Sequence, residues 1–330
     1  MRNPKPVKIG VVGVGHLGNF HLQQLKLIPE AEIVGLYDSD SGRAEQMARD
    51  YGISSFQSME DLLENCDAAD IVTPTFTHFE VGQRALDRGC HLFIEKPITQ
   101  TIDQAKALLE QASRSNKLIQ VGHIEQFNPA FRVLADQALD PRFIEAHRLA
   151  PFVNRGTDVP VILDLMIHDI DLVLSMVPST ISVIRATGVK VASHSVDIAN
   201  ARLEFENGAI ANITASRISM YKMRKLRIFQ EKTYFSVDLL KGITEIYRVA
   251  DHEPSAGPDE IVKPLDGDNG KYVVYRKPDI PKGNALNLEL RHFIRSIQQS
   301  SQPLVNGYSA TAALEVAIRI QQIIDEQANS

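Results

Sequence analysis

Cysteine is scarce. The 330 residues hold two, Cys66 and Cys90. That excludes a disulfide framework and any cysteine-rich metal site, and a reducing cytoplasm is the expected compartment. Long apolar runs are missing too: none approaches the ~18 residues of a membrane span. The opening MRNPKPVKIG leads straight into a strand-like run and carries no secretory apolar stretch. Positive charge is not in excess. The formal net charge is −6, which gives no electrostatic footprint for nucleic acid or an anionic membrane. Neither internal repeats nor low-complexity segments occur. What the chain does have is apolar bulk, 44% of its residues. Its length exceeds a typical single core, so two domains are expected.

The first third alternates short apolar runs with helical periodicity. VKIGVV, AEIVGLYD, AADIVTPT, CHLFIEKP and KLIQVGH read as strands. HLGNFHLQQLKLI, SGRAEQMARDYG, HFEVGQRALDRG and TIDQAKALLEQASRSN read as helices between them. Such alternation specifies a parallel sheet with helices on both faces. After about residue 122 the pattern changes. RFIEAHRL, ISVIRATGVKV, DIANARLEFENGAIANITASRI, KLRIFQ, KTYFSVD, TEIYRVA and KYVVYRK all read as strands, with a hairpin turn at Asn207-Gly208. This half is α+β with a large, mostly antiparallel sheet. One face should carry helices and the other needs a cover, for which another subunit is expected. Residues 251–270 read as a turn-rich, acidic surface loop. Two helices close the chain, around NLELRHFIRSIQQS and SATAALEVAIRIQQIID. The expected domains are 1–122 and 123–330, with the closing helices in the second.

Gly13-Val14-Gly15-His16-Leu17-Gly18 is a G-x-G-x-x-G that follows a strand and opens a helix. Asp38, twenty residues after Gly18, ends the next strand. That spacing is the dinucleotide fingerprint. The glycines allow a tight turn and close approach to a pyrophosphate, which meets the positive end of the helix. Asp38 accepts a bond from a ribose 2′-hydroxyl and repels a 2′-phosphate, so NAD is expected over NADP, with Arg43 nearby able to soften the preference. Thr73-Pro74-Thr75 and Glu95-Lys96-Pro97 sit at strand ends, where ligands bind in open parallel sheets.

The stretch LDLMIHDIDLVL, Leu163 to Leu174, reads as a buried helix with four titratable residues. At about 100° per residue, with Asp164 at zero, His168 lies at about 40°, Asp171 at about 340° and Asp169 at about 140°. Asp164, His168 and Asp171 share one seam; Asp169 points elsewhere. A satisfied core histidine is one reading of His168 and a catalyst is another. Asp and His at this spacing also suit zinc, but no matching ligand cluster appears elsewhere and no metal is expected.

GVGHLG, the acid Asp38, TPTFTH, EKP, GHIEQFNP and D-x-x-x-H-D-x-D, in that order, resemble the glucose–fructose oxidoreductase, inositol dehydrogenase and rhizopine-catabolism family over essentially the whole chain. The resemblance implies a Rossmann domain followed by an α+β domain whose open sheet makes homodimers or homotetramers. It implies hydride transfer between NAD(P) and a carbinol of a sugar, cyclitol or sugar nucleotide. Position by position, it implies cofactor contacts at Gly13, Gly15, His16, Leu17, Gly18, Asp38, Thr73, Pro74, Thr75, His78, Glu95 and Lys96. It implies catalytic roles for Lys96, Asp164 and His168. Oxidising an alcohol also removes the hydroxyl proton; a histidine titrates in the right range to take it, and a lysine stabilises charge on the oxygen.

The chain departs from the family in having Val159-Pro160-Val161-Ile162 before Asp164 and Glu125-Gln126 after the first domain. The pairing of GHIEQFNPA with LDLMIHDID resembles a branch acting at C3 of UDP-linked N-acetylated amino sugars. His123, Asn128, Arg148, Asn154, Arg155 and His168 are the candidate substrate contacts, with Arg148, Arg155, Arg217 and Arg224 as charge for a diphosphate. Two other functions stay open at this point: a non-catalytic dinucleotide-binding regulator, and an NAD-dependent lyase or glycosidase that oxidises its substrate transiently.

Overall fold

A computed structural model describes residues 5–152, 159–267 and 270–328. The chain divides into two units, Met1–Phe127 with Asn284–Leu314, and Asn128–Gly283 with Glu315–Ser330.

The first unit is built on strands β1 (Val7–Val12), β2 (Ala31–Tyr37), β3 (Ser54–Ser55), β4 (Ala68–Ile71), β5 (His91–Ile94) and β6 (Ile119–Val121). All pair in parallel, in the order β3-β2-β1-β4-β5-β6. Helices α1 (His16–Leu25), α2 (Ser41–Tyr51), α3 (Met59–Leu63), α4 (Thr75–Asp87) and α5 (Ile102–Arg114) connect them. β4 is buried along its whole length, which is why it reads as a continuous short-chain run rather than an alternating one. Local signals set the helix ends. Asp40 caps α2, Gly52 stops it in the left-handed region, and Thr101 with Gln104 forms a capping box on α5. The strand order reverses between β1 and β4, the switch point where ligands bind in such sheets.

The second unit carries α6 (Pro129–Arg132), β7 (Phe143–Leu149), α7 (Ile167–Met176), β8 (Ile181–Val189), β9 (Ile198–Phe205), β10 (Ile210–Ser216), β11 (Met223–Gln230), β12 (Thr233–Asp238), β13 (Ile243–Ala250), β14 (Glu260–Pro264) and β15 (Tyr272–Arg276). The sheet order is β14-β15-β13-β12-β11-β7-β10-β9-β8. Only β7 and β10 pair in parallel. Burial alternates strictly along β7, and its buried side meets α7. The other face carries an aromatic ladder, Phe143, Phe229, Tyr234, Tyr247 and Tyr275, one ring per strand with centroids 4.7–5.7 Å apart. These rings are only half-buried.

Three expectations are corrected. The closing helices α8 (Ala285–Gln299) and α9 (Gly307–Ala328) do not belong wholly to the second domain. Leu290, Phe293 and Ile294 of α8 join Val7, Ile9, Leu22 and Phe93 in the first unit's core, because that apolar stripe completes it. The division then falls inside α9, after Leu314. The segment 251–270 is not all loop: Glu260–Pro264 pairs with β15 as the sheet's edge. Pro264 suits an edge strand, which has backbone positions with no partner to donate to. Finally, LDLMIHDIDLVL is not one α-helix. Ile162–Met166 is a π-helical turn, and α7 starts at Ile167. The wider turn alters the 100° step between Asp164 and His168.

The anchor of α7 is ionic. Arg148 on β7 donates from Nε and Nη2 to the two oxygens of Asp169, at 2.8 and 2.9 Å, with both side chains 4% exposed. Replacing Arg148 with Met takes a bidentate partner from a buried carboxylate. Urea unfolding should show a loss of about 3–5 kcal/mol, and Arg148→Met with Asp169→Leu should recover most of it.

Candidate active site

In the first unit the phosphate loop joins β1 to α1. Gly13 has φ +89°, and a Cβ there would also press on Val72 and Thr73 at 2.9 Å. A Cβ on Gly18 would collide with the Gly13 carbonyl oxygen. A Cβ on Gly15 would meet only Arg43 Nη1, at 4.0 Å, so this side of the loop has room for a ligand. No side chain caps the N-terminus of α1, and His16 and Leu17 stand exposed there. A pyrophosphate fits this cradle by charge and by space.

Asp38 does two things. Its Oδ2 accepts from the Val14 N–H at 2.8 Å and its Oδ1 from the Asp40 N–H at 2.9 Å, so it shapes the loop. Arg43 Nη1 lies 3.3 Å from Oδ2. The remaining lone pairs suit a ribose diol, which fits NAD. Asp38→Ser should raise the ratio of NADP to NAD in kcat/KM, because repulsion of a 2′-phosphate is gone and Arg43 is released. Steady-state kinetics with both cofactors reads it; the NAD value itself should fall at least about tenfold.

The ends of β4 and β5 are tied together. Pro74 caps α4, Thr77 donates to Thr73 Oγ1 at 2.7 Å, and Thr75 begins the helix. His78 packs between these two strand ends. It is 1% exposed, with Nε2 2.8 Å from the Thr73 carbonyl oxygen and Nδ1 2.9 Å from that of Pro97. Burial draws its pKa below the ordinary value. Glu95 is held from below. His21 on α1 places Nε2 3.1 Å from Glu95 Oε1, and Nδ1 3.0 Å from both oxygens of Asp70 on β4. Burial disfavours a charged ring, but the charge and hydrogen bond of Asp70, joined by Glu95, outweigh it and push His21 up to about 10. Burial would raise Glu95, yet the hydrogen bond and charge of His21, then Lys96 and His78, keep its carboxyl below the usual range. His21 and Asp70 are absent from the sequence-based candidates. Their one signal is a carboxylate in the apolar run AADIV.

The second unit carries the π turn and α7. Asp164 and His168 are half-buried, together with Leu163 and Leu165. Asp169 and Asp171 are buried. Arg148 is bound to Asp169 through Nε and Nη2. Asn128 Oδ1 accepts from Ala130 N at the start of α6, and its Nδ2 donates to the Leu239 carbonyl at 3.0 Å, so its amide serves the fold. Arg217 donates to the Val159 carbonyl, and Arg224 is exposed on β11. His123, in the first unit, is 1% exposed. Asn154 and Arg155 lie outside the described residues. Among the described residues no group of three or more His, Cys, Asp or Glu is arranged to hold a metal ion, and no helix is long and apolar enough to cross a membrane.

Residues 7–123 match the GFO/IDH/MocA model described as an oxidoreductase family with an NAD-binding Rossmann fold, and residues 121–236 match the GFO/IDH/MocA C-terminal domain. The chain is 35% identical to the UDP-N-acetylglucosamine 3-dehydrogenase of Acidithiobacillus ferrooxidans, covering 97% of each. A crystal form of that enzyme superposes with a TM-score of 0.88 over 97% of this chain and 98% of the other. The scyllo-inositol 2-dehydrogenase (NAD(+)) of Bacillus subtilis is 28% identical, covering 94% of this chain and 92% of its own. A scyllo-inositol dehydrogenase of Lactobacillus casei, solved with NAD(H) and scyllo-inositol, shares the fold at 19% identity, with a TM-score of 0.78 over 98% of each chain.

Proposed function

Because the chain belongs to the GFO/IDH/MocA family of NAD-binding oxidoreductases, we propose that it oxidises the C3 hydroxyl of UDP-N-acetylglucosamine. The observation that carries this is the 35% identity to a UDP-N-acetylglucosamine 3-dehydrogenase, which runs over 97% of both chains. It therefore includes the second unit. NAD supplies the hydride acceptor when bound. Gly13, Gly15 and Gly18, with the N-terminus of α1, hold its pyrophosphate, and Asp38 its ribose. His168 takes the proton of the C3 hydroxyl, and Asp164 favours and orients the imidazolium that results. Lys96 donates a hydrogen bond to the same oxygen as negative charge builds on it. In the reverse direction His168 returns the proton to the keto oxygen. The open aromatic face of the second sheet is the surface this reading assigns to a homodimer or homotetramer.

Absorbance at 340 nm tests it. With NAD present, UDP-N-acetylglucosamine should give NADH and a product lighter by two hydrogens, while scyllo-inositol and myo-inositol give none. Lys96→Met and His168→Ala should each cut kcat by at least about 100-fold and leave NADH binding near normal. Turnover of the inositols alone would replace the substrate; full activity in both variants would remove the catalytic roles. Native mass spectrometry of the assayed sample reads the subunit number.

A further inference from the structure

We propose that His21 and Asp70 are positioning residues for Lys96, acting through Glu95 as a buried chain of carboxylate, imidazolium and carboxylate. This rests on the reading that Lys96 acts on the substrate oxygen.

The geometry starts at the ring. His21 Nδ1 lies 3.0 Å from Oδ1 and from Oδ2 of Asp70, and Nε2 lies 3.1 Å from Glu95 Oε1. Ionised carboxylates only accept, so a ring between two of them must donate from both nitrogens. That is the imidazolium form. The ring and Asp70 are 2% and 1% exposed, and Phe93 packs edge-on against the ring at 5.6 Å. Water does not compete for these bonds.

Glu95 has no freedom left. Oε1 is taken by His21, and Oε2 accepts from the backbone N–H of Lys96 at 3.2 Å. On the far side stands Gly122, where a Cβ would sit 2.7 Å from Oε1. The carboxylate thus fits only because residue 122 has no side chain, and it cannot swing that way. Just beyond Lys96, the Pro97 carbonyl meets His78 Nδ1 at 2.9 Å, and the same ring reaches Thr73 at 2.8 Å. The backbone is therefore held before Lys96 by His21 through Glu95, and just after it the buried His78 ring packs against Pro97. A flexible four-carbon side chain that starts from a fixed peptide samples fewer positions, which is how a supporting shell speeds a reaction it does not touch.

Charge works the same way. The groups that face one another here are His21 on α1, Asp70 on β4, Glu95 and Lys96 after β5, and His78 on α4. Two carboxylates and one imidazolium leave a single negative charge beside the Lys96 side chain, which attracts its ammonium group. Stability alone does not call for this arrangement. Buried ion triads are often matched or bettered by apolar residues of similar volume, and apolar residues would leave Glu95 and the Lys96 peptide unheld.

The ring's pKa gives a pH signature with a definite sign. It is raised from 6.5 to about 10 in the folded protein. The stabilisation from the imidazolium is complete below the unfolded value and is lost as pH climbs through the folded one.

The experiment uses the full-length enzyme with NAD and UDP-N-acetylglucosamine, together with protein labelled with ¹⁵N at histidine. Both ring nitrogens of His21 should carry protons from pH 6 to pH 9 in the parent enzyme. In Asp70→Asn the ring should lose its proton at lower pH. His21→Gln should lower kcat by about tenfold to a hundredfold, with KM and NADH affinity changed by less than about threefold. Its melting temperature should fall less than the parent's between pH 7 and pH 10. A neutral His21 ring at pH 7 in the parent overturns the proposal, and this readout needs no variant to fold. So does full kcat in His21→Gln while Lys96→Met is inactive, since Lys96 then acts without its support. Full kcat in Lys96→Met instead removes the reading on which the proposal rests, and leaves the His21 resonances where they were.

Discussion

An imidazolium sealed between two carboxylates joins three elements that the sequence keeps far apart. His21 lies on α1, 49 residues from Asp70 and 74 from Glu95. The same helix begins at the phosphate loop, with Gly18 packed against Gly13. One rigid rod therefore presents its N-terminus to a pyrophosphate and, one turn further on, clamps the strand end that carries Lys96. A shift of α1 moves both together.

Local patterns made much of this legible. The alternation of strands and helices, the glycine spacing and the acid at Asp38 depend on neighbours in sequence, and five of the six parallel strands follow from them; the two-residue β3 does not. The features that were not legible depend on contacts made across the chain. Nothing near His21 marks it as Asp70's partner. The apolar stripe of α8 reads equally well against either unit until Phe293 is seen in the first unit's core. Glu260–Pro264 is too short and too surrounded by turn residues to stand out, and it is a strand only because β15 offers an open edge.

The polar candidates teach a related lesson. Arg148 and Asn128 are candidates because their side chains suit sugars or phosphates, and His78 because the family resemblance implies a cofactor contact there. Each also bonds to the fold: Arg148 to Asp169, Asn128 to Ala130 and Leu239, and His78 to the backbone carbonyls beside it. A buried donor must find an acceptor first, and residue type alone does not show which obligation comes first. Asp169, which the helical wheel sets apart from Asp164 and His168, is the partner of Arg148. The turn that carries Asp164 is π-helical rather than α-helical, which changes the angle between Asp164 and the residues of α7. Such turns recur at functional sites, and this one falls on the segment that the family resemblance singles out.

The double duty of Asp38 bears on how this enzyme can change over evolutionary time. The carboxylate that would choose between cofactors is also the acceptor for the Val14 and Asp40 amides. Any mutation that relaxes the choice also loosens the loop that both cofactors need. A lineage moving toward the phosphorylated cofactor therefore has no smooth single-step route. It must first gain a second acceptor for those amides, or pass through a form that binds neither cofactor well.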